Sequence, residues 1–246
     1  MDHHSALYNE AYSTLSDSAL FGGLDEETIR GILDECTEVS WKRGETIDPE
    51  IGMQFMYVII KGRVKITQVD PESGRSLALF LLKEGDIFDV FSLLDGKEHI
   101  VFPIPLDHVS LLSIPLERAR EWIEEHPEFN KAFLPYLGEQ MRELEAFGQS
   151  LVFHDTTTRL ANLILKHTDT CDIEKDDEHH YPVKLINNLS HESLAEMIGS
   201  VRSVVSTQMQ KLKEEGVIIS KRGHLAVENL EKLVKKCELF HHHSMQ

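Results

Sequence analysis

The sequence predicts an α+β protein, and three stretches carry that expectation. Short β-type segments follow one another from Thr37 to Ile114, a heptad-like helix starts at Pro127, and two helices across a tight turn, with a hairpin behind them, occupy Ser190 to Val227. Regularly spaced short strands imply a barrel or sandwich, and 246 residues can bury two modest cores. The expected division is a strand-rich domain over 17–126, a connecting helix over 127–154 and a helical domain with a small hairpin over 155–240.

Residues 1–16 lack clear periodicity and read as a leader or a short first helix. From Leu20 to Cys36, Leu24, Ile29, Ile32 and Leu33 share a helical stripe, with Asp25 as a candidate cap. Strands are expected from Val39 to Trp41, Phe55 to Ile60, Arg63 to Val69, Leu77 to Leu82, His99 to Ile104 and Val109 to Ile114, with a hairpin loop at Asp70-Pro71-Glu72-Ser73-Gly74. Leu116 to His126 reads as a helix, and Pro127 starts the next. There Leu134, Met141 and Gly148 share one heptad position and Leu137, Leu144 and Leu151 the other, the a/d spacing of a two-stranded coiled coil. The competing reading is a helix packed on its own domain, because the repeat is short and Pro135 interrupts its start.

Phe153-His154-Asp155 marks a hinge, with Asp155 capping a helix whose Leu160, Leu163 and Ile164 form the apolar face. Cys171 to His180 is an acidic loop whose His179-His180 pair reads as solvated rather than metal-binding. In the next stretch Leu194, Ala195 and Ile198 pack a first helix, Gly199 supplies a left-handed turn, and Ser200 can cap a second helix with Val201, Val205, Met209 and Leu212 on one buried stripe. Arg202, Ser203, Ser206, Thr207 and Gln210 fall on the polar face; Lys211, Lys213, Lys221 and Arg222 lie where phosphates can be reached. The hairpin Val217 to Val227, tipped by Lys221-Arg222-Gly223, makes this a winged helix-turn-helix. A B-DNA major groove admits one helix, whose first side chains read base edges while flanking cations hold the backbone. Leu230, Leu233 and Val234 make a last amphipathic helix, and the tail His241-His242-His243 is set aside from fold reasoning.

The net charge of −17 argues superficially against nucleic acid. Its distribution softens this: the last 92 residues hold 12 Lys and Arg against 14 Asp and Glu, leaving −2 there and −15 on the first 154. Three widely spaced cysteines, Cys36, Cys171 and Cys237, suggest a reducing compartment. With no long apolar run or signal-like start, a cytoplasmic protein is expected, with no membrane partner. No ordered nucleophile or acid-base motif points to an enzyme, and no metal site is expected.

Leu194 to Ile218, LAEMIGSVRSVVSTQMQKLKEEGVI, resembles the DNA-reading segment of the CRP/FNR family of bacterial transcription regulators. The likeness continues upstream in Lys42 to Ile47, Tyr57 to Val64 and Glu84 to Phe88, in order and spacing. In Leu79 to Phe88, Phe153 to Asp155 and Ile198 to Thr207 the wording is most similar to the CooA-like, CO-sensing haem branch. The resemblance implies an N-terminal β-roll sensor domain (a jelly-roll of cyclic-nucleotide-binding type), a long dimerisation helix and the C-terminal winged helix-turn-helix. It implies a homodimer on double-stranded DNA, with RNA polymerase as a partner and a small-molecule effector. Many relatives carry Glu and Arg one and five residues after the position of Arg202; this chain has Ser203 and Thr207 there.

The effector stays unknown at this level. Cyclic-nucleotide-binding members hold ribose and phosphate with a Gly-Glu pair and an Arg-Ser/Thr-Ala triplet. The matching slots here are Asp89-Val90 and His99-Ile100-Val101, so a cyclic phosphate lacks its arginine and faces a carboxylate. Three scattered cysteines cannot hold an iron-sulfur cluster. The position of the haem-ligating histidine is Phe91; His99 and His108 are nearby, and His3, His4 or the terminal amine are candidate second ligands, each read first as an ordinary histidine. Phe88, Val90, Phe91, Leu93, Ile100, Val101 and Phe102 instead fit a small hydrophobic ligand, a haem face or simply a filled core, and an effector pocket is expected between them and Leu137, Met141 and Leu144.

Overall fold

The computed structural model describes residues 6–170, 180–221 and 223–238. The expectations placed on His3, His4, 171–179, Arg222 and the histidine tail lie outside the described residues. The chain divides into two compact units, 1–144 and 145–246.

The first unit begins with helix α1 (Ala6–Asp17), whose Tyr8, Ala11 and Leu15 recur at helical spacing and are fully buried. It is a packing helix that belongs to the core. Helix α2 (Glu26–Glu35) starts where the Asp25 carboxylate accepts the Thr28 N–H at 2.8 Å. The expected cap is the observed one, and Leu20 to Leu24, the first part of the expected stretch, form turns and a bend before it. A Cβ on Gly22 would lie 2.6 Å from the carbonyl oxygens of Ser16 and Ser18, an approach open only to glycine.

Strands β1 (Thr37–Trp41), β2 (Phe55–Lys61), β3 (Val64–Val69), β4 (Ser76–Leu82) and β5 (Ile87–Phe88) lead to a short helix α3 (Val90–Asp95), then to β6 (Phe102–Pro105) and β7 (Val109–Pro115). Two antiparallel sheets result, in orders β1-β7-β2-β5 and β4-β3-β6. Strand β2 is buried on both faces because alternate residues serve different cores. Met56, Val58 and Ile60 pack with α1, α2 and the following helices; Tyr57 and Ile59 face the roll interior with Trp41, Val64, Ile66, Phe88, Val101 and Leu111. The strand expected from His99 starts only at Phe102.

Helix α4 (Leu116–Glu125) is followed by α5 (Pro127–Phe153), which buries Phe129, Phe133 and Tyr136 and runs on into the second unit. That unit contains α6 (Thr156–Lys166), β8 (Tyr181–Pro182), α7 (His191–Met197), α8 (Arg202–Glu214), β9 (Ile218–Lys221), β10 (His224–Val227) and α9 (Leu230–Glu238). The Asp155 carboxylate caps α6 through the Thr158 N–H at 2.8 Å. The hairpin β9–β10 gains β8 as a third strand, in order β8-β10-β9. No helix among the described residues is long and apolar enough to cross a membrane.

Candidate nucleic-acid interface and effector segment

The turn between α7 and α8 is built from backbone bonds. Gly199 has φ +58°; its N–H donates to the Glu196 carbonyl at 3.4 Å and the Ser200 N–H to the Ala195 carbonyl at 2.9 Å, the paired bonds of a Schellman turn. This corrects one sequence expectation: Ser200 closes α7, and the residue at the start of α8 is Val201, which makes no side-chain cap. Val201 is also 45% exposed rather than part of the buried stripe, which Val205, Met209 and Leu212 supply. The far end of α8 repeats the device. Gly216, with φ +62°, donates to Lys213 and Val217 to Leu212, at 3.1 and 2.9 Å.

Between these ends α8 presents Arg202, Ser203, Val204, Thr207, Gln210, Lys211 and Lys213 to solvent. Arg202 opens the helix, where a side chain entering a groove meets base edges first. The Thr207 hydroxyl donates back to the Ser203 carbonyl at 3.0 Å, and the Gln210 amide donates to Glu214 at 2.8 Å. Ser206, expected to point outward, is half-buried with its Oγ 2.8 Å from Nδ1 of His191 at the start of α7. A helical wheel places Ser206 on the polar face but cannot show that α7 covers part of that face. His191 is the residue of this surface that the sequence reading missed; its only sequence signal is a polar residue right after the Ser190 cap.

The hairpin tip is supported from below. Lys221 pairs with His224 in register, Asn187 Oδ1 accepts the Leu225 N–H at 2.9 Å, and Asn188, in the left-handed region at φ 62°, lies under Gly223. Lys221 is exposed at the end of β9. Arg159 ties the start of α6 to the same turn, donating to the His154 carbonyl at 2.9 Å and to the Gly199 carbonyl at 3.5 Å.

The segment expected to hold an effector does not form one pocket. Phe88 and Val101 point into the roll interior and are buried there, whereas Leu93 packs in the other core, with Val90 and Leu137 at its edge. Phe91 is 44% exposed, Phe102 is also exposed, Met141 lies in solvent and Leu144 is half-buried. The physical reason is α3: after β5 the chain leaves the strand's two-residue alternation for a helical turn, so Phe88 of the strand and Leu93 of the helix face different cores. A cavity of about 310 Å³ is lined by Ser92, Gly96 and Lys97 of this segment together with Gln54, Leu116 and Arg120, and none of the ten residues expected to form the pocket lines it.

The polar centre of this segment is Asp89. Its buried carboxylate caps α3 through the Phe91 N–H at 3.1 Å, accepts the Ser92 hydroxyl at 3.0 Å and meets His99 Nδ1 at 2.7 Å. The Phe91 ring lies 4.7 Å from the His99 ring. Next to it, Asp86 packs near Tyr136, Glu139 and Glu143 of α5; burial pushes its carboxyl up to about 6, against the Lys83 N–H bond that pulls it down.

Along α5, Leu134 and Met141 are 65% and 70% exposed, and Gly148, Leu151, Val152 and Phe153 are exposed as well. Leu137 turns to its own unit's core, so the second heptad position is divided between inside and outside.

Comparison with known proteins agrees with this architecture. A family model described as cyclic nucleotide-binding domain matches residues 38–126, and one described as Crp-like helix-turn-helix domain matches residues 158–236. The global nitrogen regulator of Synechococcus elongatus is 30% identical over 192 residues, covering 77% of this chain and 84% of the relative. The CRP-like cAMP-activated global transcriptional regulator of Mycobacterium tuberculosis is 23% identical over 224 residues, 90% of this chain and 97% of that one. Among solved structures, a CooA mutant from Carboxydothermus hydrogenoformans superposes with a TM-score of 0.71 at 22% identity, covering 90% of this chain and 96% of that chain. With the winged helix-turn-helix in place behind a cyclic-nucleotide-binding-type roll, the chain belongs to the CRP/FNR family of DNA-binding transcription regulators.

Proposed function

We propose that this regulator acts as a homodimer, paired through α5, on a near-palindromic DNA site, with the roll as its sensor. The observation that carries the reading is the exposed stripe Leu134, Met141, Leu151 on a helix whose opposite side is already buried. A monomer gains nothing from such a stripe, whereas a second copy buries it, at about 25 cal/mol per Å² of apolar surface. The domains are then 17–126 for sensing, 127–154 for pairing and 155–240 for DNA. Arg202, Ser203, Thr207 and Gln210 face the groove, and Lys211, Lys213, Lys221 and Arg222 meet phosphates. Sedimentation and footprinting test this together: the expected result is a dimer protecting two half-sites roughly 34 Å apart. A monomer on a single half-site rejects it.

The effector in this reading is a small molecule or a haem-borne gas and not a cyclic nucleotide. The carboxylate of Asp89 and the ring of His99 hold each other where the family resemblance expects a Gly-Glu pair and an arginine. A dianionic or monoanionic phosphate entering there meets a buried anion. Phe91 offers haem iron no ligand atom, so His99 is the imidazole of the segment left for that role. The absorption spectrum of freshly purified protein decides, since a Soret band requires haem. RNA polymerase is the expected protein partner. A second reading, DNA binding without any effector, is favoured by one observation: Phe88 and Val101 already fill the roll interior. It predicts DNA affinity unchanged by any candidate ligand.

A further inference from the structure

We propose that His191, locked by Ser206, is a charge-variable phosphate clamp beside the recognition helix, so that protonation of one imidazole per protomer tunes DNA affinity. The geometry is local to the second unit. His191 is the first residue of α7, and its Nδ1 lies 2.8 Å from Oγ of Ser206, one turn along α8 from Arg202. That bond fixes the ring plane and leaves Nε2 as the free end of a half-buried side chain at the rim of the surface that enters the groove.

The chemistry depends on the state of the ring. When the Ser206 hydroxyl donates to Nδ1, Nε2 carries the proton and can donate to a phosphate oxygen as a neutral group. When the imidazole is doubly protonated, Nδ1–H donates to Ser206 and Nε2–H meets the phosphate as a charge-assisted donor. The clamp therefore stays formed in both states and changes only its charge. The charged groups around Ser206 on α8 are all exposed: Arg202 one turn before it, and Lys213 and Glu214 two turns beyond it, the last engaged by Gln210; Arg159 of α6 reaches the turn before α8 through the Gly199 carbonyl, and on α7 itself Glu192 follows His191 and is exposed. Histidine is the side chain whose charge changes in the ordinary intracellular pH range.

The inference rests on the reading that α8 lies in the groove, and the experiment separates the two. DNA affinity of the full-length protein is measured against salt at about pH 6 and about pH 8, the span in which histidine changes charge, for parent, His191→Gln, Ser206→Ala, Ser206→Thr and Arg202→Ala. One phosphate neutralised per protomer makes the parent's log–log salt slope steeper at the lower pH by about 0.9 per bound protomer. His191→Gln removes that increment, Ser206→Ala weakens binding about fivefold at the lower pH by freeing the ring, and Ser206→Thr restores it. Arg202→Ala loses affinity at both pH values while keeping the increment. If His191→Gln retains the parent's full pH-dependent slope change, the clamp is wrong although groove binding stands. If Arg202→Ala binds like the parent, the placement of α8 itself fails, and the clamp falls with it.

Discussion

Helices α5 and α8 carry the same kind of apolar stripe and meet opposite fates. On α8, Val205, Met209 and Leu212 are buried within the second unit, and most of the polar side is exposed, Ser206 excepted. On α5, the first turns bury Phe129, Phe133 and Tyr136, while Leu134, Met141 and Leu151 remain in solvent. Periodicity reports which residues share a face; it does not report what covers the face. A stripe closed by nearby chain is a folding element, and a stripe left open is, on the proposed pairing, an association element.

The largest expected effect comes from breaking the closed stripe. Leu212→Ala removes a side chain that is fully buried and should cost about 2–5 kcal/mol of stability in the second unit, read by denaturant unfolding. The matching change on the open stripe, Met141→Ala, should stay within about 0.5 kcal/mol for the monomeric unit; a cost near that of Leu212→Ala would erase the contrast. Met141→Glu sharpens it from the other side, because a charge on an association face prevents pairing without unfolding. Sedimentation should show a monomer with native circular dichroism, and an intact dimer rejects α5 as the seam.

Arg202→Ala comes next, at about 1–3 kcal/mol of binding and relaxed preference at one base pair, seen by site selection. Gly199→Ala tests the turn that presents α8: alanine at φ +58° should cost about 1–2 kcal/mol of stability. The smallest effect concerns the roll side of α5. Asp86 has a carboxyl raised above its unfolded range to about 6, so its contribution is most favourable below about 4 and is lost as pH rises through about 6. Asp86→Asn should flatten that part of the stability profile and raise the melting temperature above pH 6. An unchanged profile means the carboxylate is better solvated than its burial indicates.

The sequence made the winged helix-turn-helix legible because its determinants are short-range. Gly199, the stripe on α8 and the hairpin after it all act within about forty residues, and each leaves a residue-type signal. The strands were legible to within a few residues for the same reason. The effector segment was not: Asp89 caps a six-residue helix too short to show a period, and its main partner His99 arrives from beyond the next turn. Phe88 and Leu93, five residues apart, therefore end in different cores. The Ser200 assignment failed because Ser200 is the last residue of the turn that closes α7, so Val201 stands at the cap position of α8. Ser206 failed because a helical wheel contains no neighbouring helix.

The two Schellman turns that bracket α8 have a consequence for how such a regulator diversifies. One closes α7 just before the helix and the other closes the C-terminal end of α8, both by main-chain bonds, and the inner side of α8 is held by three aliphatic or thioether groups, so the exposed side chains carry almost none of the folding free energy. If α8 reads the groove as proposed, substitutions at Ser203, Thr207 or Gln210 should change the preferred operator while leaving expression level and solubility untouched. Retargeting the protein to a new promoter thus calls for a small combinatorial library on one helix face, screened for binding alone, with no parallel search for stabilising mutations.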